Sequence, residues 1–342
     1  MDTVGPGMLS GAGGLLAQSL SIFDPASPSA FSIVNLAILT FAVAGLIFLI
    51  VEGVLLYSVW RFRQSAGDEP PGEPPQVYGS MPIEVAWTAA PTMIVFFLVL
   101  VTTRTLWEVE PDLPKPAAGD HALFVTVIGH QWWWEYVYET YDGRKLGFIT
   151  ANELHIPASD DSASRPAYLS LKSADVCHSY WVPRLGGKVD LIPGHTNLIV
   201  LETQEAGLHL GQCAEFCGAQ HANMLIRVIA HPPEEFERWL ASESQPAKED
   251  PAARNGKAAF LAESCINCHA VRGTPACGTY APDLTHLMSR KTLASGMIEN
   301  TPENLRQWVK DPQSIKPGCL MPAFGLDDRQ LDLIVEYLLA LH

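Results

Sequence analysis

Residues 213–224 read Cys-Ala-Glu-Phe-Cys-Gly-Ala-Gln-His-Ala-Asn-Met. Two thiols, an imidazole and a thioether within one short loop make a soft donor set, which selects copper over hard, oxygen-seeking ions. Cys213 and Cys217 supply thiolates, His221 a ring nitrogen and Met224 a sulfur. One more imidazole is wanted, and His178 in D-V-C-H-S-Y-W-V-P (175–183) is the candidate. A C-x-x-x-C pair outside the cytoplasm also reads as a disulfide, and a His or Met after it as packing. Those readings explain each residue singly and leave the cluster unexplained.

Such a loop needs a rigid frame. From about residue 108 to 232 the chain breaks into short β-branched or aromatic runs (123–128, 168–171, 197–202 and 224–230) separated by Gly, Pro, Asp and Ser. Their fair period-2 alternation and spacing predict a β-sandwich. The run G-H-Q-W-W-W-E-Y (129–136) reads as a strand whose alternate aromatics fill the core on one face and form an interfacial belt on the other.

Downstream, C-I-N-C-H (265–269) matches the attachment pattern of a c-type haem. On a helical turn Cys265 and Cys268 can each form a thioether to the porphyrin and leave His269 beneath the iron. A zinc knuckle would want a second ligand pair at similar spacing, and none follows. For the sixth ligand we select Met321 in K-P-G-C-L-M-P, where Pro317 and Pro322 stiffen a loop ahead of the last helix. Met288 and Met297 are the competitors, in a region where Met is usually gap filler. Met/His ligation raises a haem potential and favours electron transfer. A compact helical domain is expected over 253–342, with the apolar stripe Leu331, Ile334, Val335, Leu338 and Leu339 as core.

Toward the N-terminus, residues 31–51 carry no charge and continue past Glu52 to Trp60; residues 85–103 are also uncharged. At 1.5 Å per residue either run can cross a hydrocarbon core of about 30 Å. These predict a transmembrane hairpin over 31–104. No Lys or Arg precedes Arg61, while Arg61 and Arg63 fall between the helices, so the connection is expected inside and both ends outside. Residues 1–30 read as a flexible tail, and G-A-G-G at 11–14 is no dinucleotide fingerprint because no strand precedes it. Residues 105–240 form the predicted β domain, and 241–252, small, polar and Pro-containing, a linker to the helical domain.

The chain of 342 residues has a net charge of −15, concentrated in residues 105–240 with eighteen acids against nine bases. No basic patch invites nucleic acid. Three cysteines remain beyond the two motifs. Cys177 reads as a small buried residue. Cys277 and Cys319 flank the expected haem pocket and are candidates for a disulfide pinning the Met321 loop.

The 213–224 loop resembles that of subunit II of the haem-copper cytochrome c oxidases, C-x-E-x-C-x-x-x-H-x-x-M. A-P-D-L (281–284) and K-P-G-x-x-M-P are similar to class I cytochromes c. Together they resemble the caa-type arrangement, a subunit II with a fused cytochrome c. The resemblance implies a cupredoxin-type Greek-key domain holding a dinuclear copper centre, CuA, bridged by Cys213 and Cys217. His178 and His221 would terminate the coppers, with Met224 and the carbonyl of Glu215 as weaker ligands. The Glu215 side chain would reach a magnesium ion at the border with subunit I. It further implies that Glu84, in E-V-A-W-T-A-A-P (84–91), admits protons, and that Trp132 receives the electron where the donor is a soluble cytochrome. The implied cofactors are two copper ions, one covalent haem c and magnesium. The implied partners are membrane lipid, subunit I with its haem a and haem a3–CuB site, subunit III, and cytochrome c or a quinol:cytochrome c reductase upstream. The electron would run from haem c to CuA to haem a, for reduction of oxygen coupled to proton pumping in a bacterial inner membrane, both redox domains lying on the periplasmic side. Two rivals are weaker. A nitrous oxide reductase needs a second, histidine-rich cluster, which eleven scattered histidines do not provide; a single-copper carrier needs neither the haem motif nor Met224.

Overall fold

The computed structural model describes residues 21–63, 76, 78–110, 115–248 and 250–342. Two units separate by contact density, residues 31–110 as one and the remainder as the other. The smaller unit consists of helix α2 (Met81–Val109) and all but the first turn of helix α1 (Pro28–Arg61), both strongly apolar. Spans of 34 and 29 residues are each long enough to cross a bilayer. Their apolar side chains face outward all round, as a lipid-facing helix requires. Pro91 sits inside α2 and removes one backbone donor there. At the start of α2, Glu84 Oε1 accepts the backbone N–H of Ser80 at 3.2 Å, satisfying a helix-terminal group that precedes the first turn.

The larger unit begins with a β-sandwich. Its strands are β1 (Leu123–His130), β2 (Trp133–Tyr141), β3 (Arg144–Ala151), β4 (Glu153–Pro157), β5 (Ala167–Ser173), β6 (His178–Trp181), β7 (Val189–Leu191), β8 (Asn197–Leu201), β9 (Gly207–Cys213) and β10 (Leu225–His231). One five-stranded sheet has the order β3-β2-β1-β5-β8, the other β4-β10-β9-β6-β7. Pairing is antiparallel except at β1/β5 and β4/β10. Between the sheets Trp134, Tyr136 and Tyr138, alternate residues of β2, are wholly buried with Tyr180, Leu123 and Ile226. Aromatic side chains of this size dominate the burial that holds such a core together.

The run at 129–136 is not one strand. It breaks after His130, turns at Gln131–Trp132 and resumes at Trp133, so β1 and β2 form a hairpin with His130 opposite Trp133. Hydrophobic alternation cannot mark this turn, because Trp132 is as apolar as its neighbours and leaves the ladder for a tertiary contact described below. Residues 1–20, with the G-A-G-G segment, lie outside the described residues. The end of the expected tail is tied down: Ala26 N donates to Arg184 O at 2.8 Å, Thr203 Oγ1 to Ala26 O at 2.7 Å and Ser27 Oγ to Leu185 O at 2.7 Å.

Helix α3 (Pro233–Glu243) extends into the expected linker. Its last residue and the segment after it are also held, since Arg272 donates to Glu243 O at 2.6 Å and His286 Nε2 lies 3.0 Å from Gln245 O. The chain here supplies backbone carbonyls to side chains of the C-terminal domain, a use that composition does not distinguish from a solvated spacer.

The C-terminal domain comprises α4 (Arg254–Ala262), α5 (Pro302–Lys310), α6 (Pro312–Ile315) and α7 (Asp328–Leu339), with a short hairpin of β11 (Thr292–Leu293) and β12 (Ile298–Glu299). Helix α7 starts with a complete capping box between Asp327 and Gln330. The stripe expected on it is the core: Leu331, Ile334, Val335 and Leu338 are buried against Phe260 and Leu305. Gly256 lets α4 and α7 touch, since a Cβ there would meet Leu333 O at 2.2 Å. This domain packs on the sandwich. Glu153, 2% exposed, accepts from Lys291 N at 3.0 Å and Thr292 Oγ1 at 2.8 Å, and Leu225 N donates to Ser295 O at 3.2 Å.

Candidate functional site

Three segments meet at one end of the sandwich: the start of β6, the loop after β9 and the turn between β1 and β2. The β9 loop leaves the sheet at Cys213, returns through a single 3₁₀ turn at His221–Asn223 and re-enters at Leu225. That excursion folds its donors inward. The Cys213 and Cys217 sulfurs lie 3.8 Å apart. His178 Nδ1 is 3.9 Å from the first and His221 Nδ1 3.7 Å from the second. Met224 Sδ lies 3.9 Å from Cys217 Sγ, and the Glu215 carbonyl 3.3 Å from Cys213 Sγ. All six expected donors are therefore gathered, and His178, Cys213 and Cys217 form a buried group whose ligand atoms are close enough together to hold a metal ion.

Electrostatics favour a thiolate at Cys213. The neighbouring Cys217 thiol, against the opposing effect of burial, and His178 hold Cys213 far below the usual thiol range, while the same neighbour and burial push Cys217 up toward its protonated form. Burial disfavours the charged form of His178, yet its bonds to Asp175 and Cys213 outweigh this and raise its pKa. A metal competes for those sulfurs once the remaining proton leaves.

Sequence reasoning missed Asp175. Its carboxylate lies 2.8 Å from His178 Nε2 and accepts Gln131 N at 2.6 Å. A carboxylate on the far ring nitrogen fixes which nitrogen faces the metal, here Nδ1. The signal was present as an acid three residues before His178. Gly129 is required by the same imidazole, because a Cβ there would sit 2.8 Å from His178 Cδ2.

Trp132 links this centre to the C-terminal domain. Its indole Nε1 donates to Cys217 O at 3.0 Å, and Gln131 Nε2 donates to the same carbonyl at 2.6 Å. Trp132 and Trp133 also line a largely apolar cleft shared with Cys265, Cys268, His269, Met321, Phe260 and Leu338. Within it His269 Nδ1 is 2.7 Å from Pro282 O, which leaves Nε2 as the lone-pair nitrogen. Burial lowers the His269 pKa and keeps the ring neutral, the form that ligates iron. Of the three candidate methionines, Met321 lines the cleft, and Met288 packs against the domain core.

Cys177 is exposed, contrary to expectation, because it lies ahead of β6 on the loop that carries Asp175. The anticipated Cys277–Cys319 bridge is not made, and both thiols are free. Cys319 turns to Gln313 Nε2 at 3.2 Å and lines the cleft, whereas Cys277 is exposed and pairs by backbone with Ala270. The Glu215 side chain is exposed.

Family models agree with this division. That for the cytochrome c oxidase subunit II periplasmic domain matches residues 123–231, that for its transmembrane domain residues 16–104, and that for cytochrome c residues 253–342. The cytochrome c oxidase subunit 2 of Alkalihalophilus pseudofirmus is 36% identical over 329 residues, 95% of this chain and 91% of that protein. This chain belongs to the cytochrome c oxidase subunit II family. The Bacillus subtilis subunit 2 is 32% identical, covering 97% of this chain and 94% of that one. The solved periplasmic domain of subunit II from Bradyrhizobium japonicum is 29% identical over 39% of this chain and 96% of its own, with a TM-score of 0.32. As a subunit II with a fused cytochrome c domain, the chain is a membrane component of a haem-copper oxidase complex whose partners include the other oxidase subunits. The subunit II domain implies a copper site and the cytochrome c domain a haem, and both fit the residues present: a soft sulfur–nitrogen cluster in one case, an apolar cleft with two thiols and a neutral imidazole in the other.

Proposed function

We propose that this chain is the electron-relay subunit of a caa-type terminal oxidase. It passes electrons from a covalent haem c to a dinuclear CuA centre and on to haem a of subunit I, where oxygen is reduced to water with proton pumping. The observation that carries the reading is the paired geometry of the metal loops. Two sulfurs 3.8 Å apart each have a separate imidazole nitrogen within 4 Å, and a thioether and a backbone carbonyl complete six donors, more than the four of a closed tetrahedral site and enough for two metals that share the sulfurs.

In this reading Cys213 and Cys217, together with His178, His221, Met224 and the Glu215 carbonyl, would hold two copper ions. Cys265 and Cys268 would carry the haem covalently, and His269 and Met321 would hold its iron. Bound there, the copper pair and the haem supply reversible one-electron oxidation and reduction. The protein's own groups do the rest. Asp175 orients His178, the Pro282 carbonyl orients His269, and buried aromatics exclude water. Trp132 touches both the haem cleft and the backbone of a bridging cysteine, which supports its candidacy as the electron's way across.

The exposed Glu215 carboxylate is assigned to magnesium shared with subunit I. Glu84 is assigned to proton uptake. Arg61 and Arg63 between the helices favour an inner connection, with both redox domains periplasmic. Subunit III, and a cytochrome c or a quinol:cytochrome c reductase as donor, complete the assembly.

The test is an optical and electron paramagnetic resonance spectrum of the full chain in detergent, loaded with copper and haem. Mixed-valence copper hyperfine structure at two coppers per chain, together with a c-haem band, is expected. One copper per chain or fewer, without intervalence absorption, overturns the proposal.

A further inference from the structure

Lys316 opens the segment that carries Met321, yet it is 2% exposed and has no carboxylate partner among the described residues, a rare setting for a lysine. Its Nζ donates to three backbone carbonyls: Trp132 O at 2.8 Å, Asn223 O at 2.9 Å and Ala294 O at 3.0 Å. Trp132 and Asn223 belong to the sandwich; Ala294 and Lys316 itself belong to the C-terminal domain. Burial draws its pKa down to about 8, so at pH 7 it remains an ammonium with three N–H donors for three acceptors.

The identity of those carbonyls gives the contact its meaning. Trp132 reaches Cys217 O, and Asn223 immediately precedes Met224. A single cation thus holds the Trp132 turn, the end of the metal loop and the Met321 segment at one point. A second bond runs alongside it, from Gln220 Nε2 to Pro317 O at 2.7 Å. Burying an ammonium costs several kcal/mol unless all its hydrogen bonds are satisfied. The geometry present here therefore exists only while the domains are together, and separation exposes the three carbonyls and the cation at once.

We propose that Lys316 is a positioning residue: it locks the C-terminal domain onto the sandwich, so that the haem cleft and the metal loop keep one fixed spacing through turnover rather than meeting by domain excursions. This rests on the relay reading for its kinetic consequence, and on the interface alone for its mechanical one.

The mechanical consequence is tested first, on the full chain in detergent. Amide hydrogen exchange should show Leu225 and Lys291, whose N–H groups bond across the interface, protected to the same degree as Val228 inside β10. Exchange at those two amides far ahead of Val228 would mean that the domains part freely, and would overturn the proposal without any variant. Lys316→Met should then raise exchange at Leu225 and Lys291 selectively and lower the rate of haem-to-copper electron transfer in the assembled oxidase below that of the parent chain, because the domains then spend part of their time apart. The haem and copper spectra should be unchanged. Gln220→Ala, which leaves the cation in place, should move exchange in the same direction by less. If the parent chain shows no transfer at all, the relay reading fails; if it transfers and Lys316→Met transfers equally fast with unaltered exchange, Lys316 has no positioning role.

Discussion

Trp132 and Cys217 are joined by a direct hydrogen bond, indole N–H to backbone carbonyl at 3.0 Å, although they lie 85 residues apart in the chain. The contact is possible because Gly218 follows Cys217. Its φ is +118°, and a Cβ there would stand 2.9 Å from Trp132 Cζ2 and 3.0 Å from Gln131 Nε2.

Gly218→Ala is therefore expected to destabilise the chain by about 1–3 kcal/mol, from overpacking added to a backbone conformation unfavourable for alanine. Thermal unfolding followed at the copper band and in the far ultraviolet checks this. A midpoint equal to that of the parent chain would show that the indole does not need this space.

Removing the carboxylate behind His178 should weaken copper without unfolding the sandwich. Asp175→Asn leaves an acceptor for the ring N–H but no charge. The expected loss is about 10–100-fold in copper affinity, the usual range for such an outer partner. Competition against a chelator of known affinity measures it, and an affinity within twofold of the parent would count against the orienting role.

Glu84 has two assignments that one substitution separates. Its Oε1 accepts Ser80 N at the start of α2, and glutamine keeps an acceptor there. Glu84→Gln should consequently preserve helix content and assembly while lowering turnover of the complete oxidase, by up to about a hundredfold if it is an obligatory proton-transfer group. Unchanged turnover would reduce Glu84 to a helix-terminal contact.

A pH effect is expected from the stacked pair His155 and His231, whose Nδ1 and Nε2 lie 2.7 Å apart. Burial, then the proximity of His231, Arg290 and Lys291, lowers the pKa of His155; burial also lowers that of His231, against the opposing pull of Glu235. Folding thus favours the neutral rings. Between the folded values and the ordinary 6.5 the unfolded chain binds more protons, so stability rises with pH across that window and is lost as pH falls below about 6.5. His231→Gln should flatten this limb of a plot of unfolding midpoint against pH from 7.5 to 5.

The grouping of Cys213, Cys217, His221 and Met224, and that of Cys265, Cys268 and His269, were legible because each set is nearly contiguous, whereas His178, 35 residues before Cys213, and Met321 come from distant segments and had to be chosen among candidates. The strands β1, β5, β8 and β10 were legible from alternation, and α7 from its stripe. Three features were not. The turn at Gln131–Trp132 is hidden in a uniformly aromatic run, because hydrophobicity records burial but not which partner does the burying. Lys316 and Glu153 look like surface charges, since most of their hydrogen-bond partners lie in the other domain, up to 184 residues away in the chain. The segment after α3 looks like a spacer because its contacts are made through carbonyls, which every residue possesses.

In the relay proposed above, the place of Trp132 in the lining of the chain's own cleft would change the kinetic order of one step. A separate carrier would have to diffuse, collide and dissociate, with a rate that depends on its concentration and on salt. A reductant already folded against its acceptor would make the same transfer unimolecular, indifferent to dilution and ionic strength. Control of flux by supply of an external donor would then fall one station earlier, at the surface of the C-terminal domain.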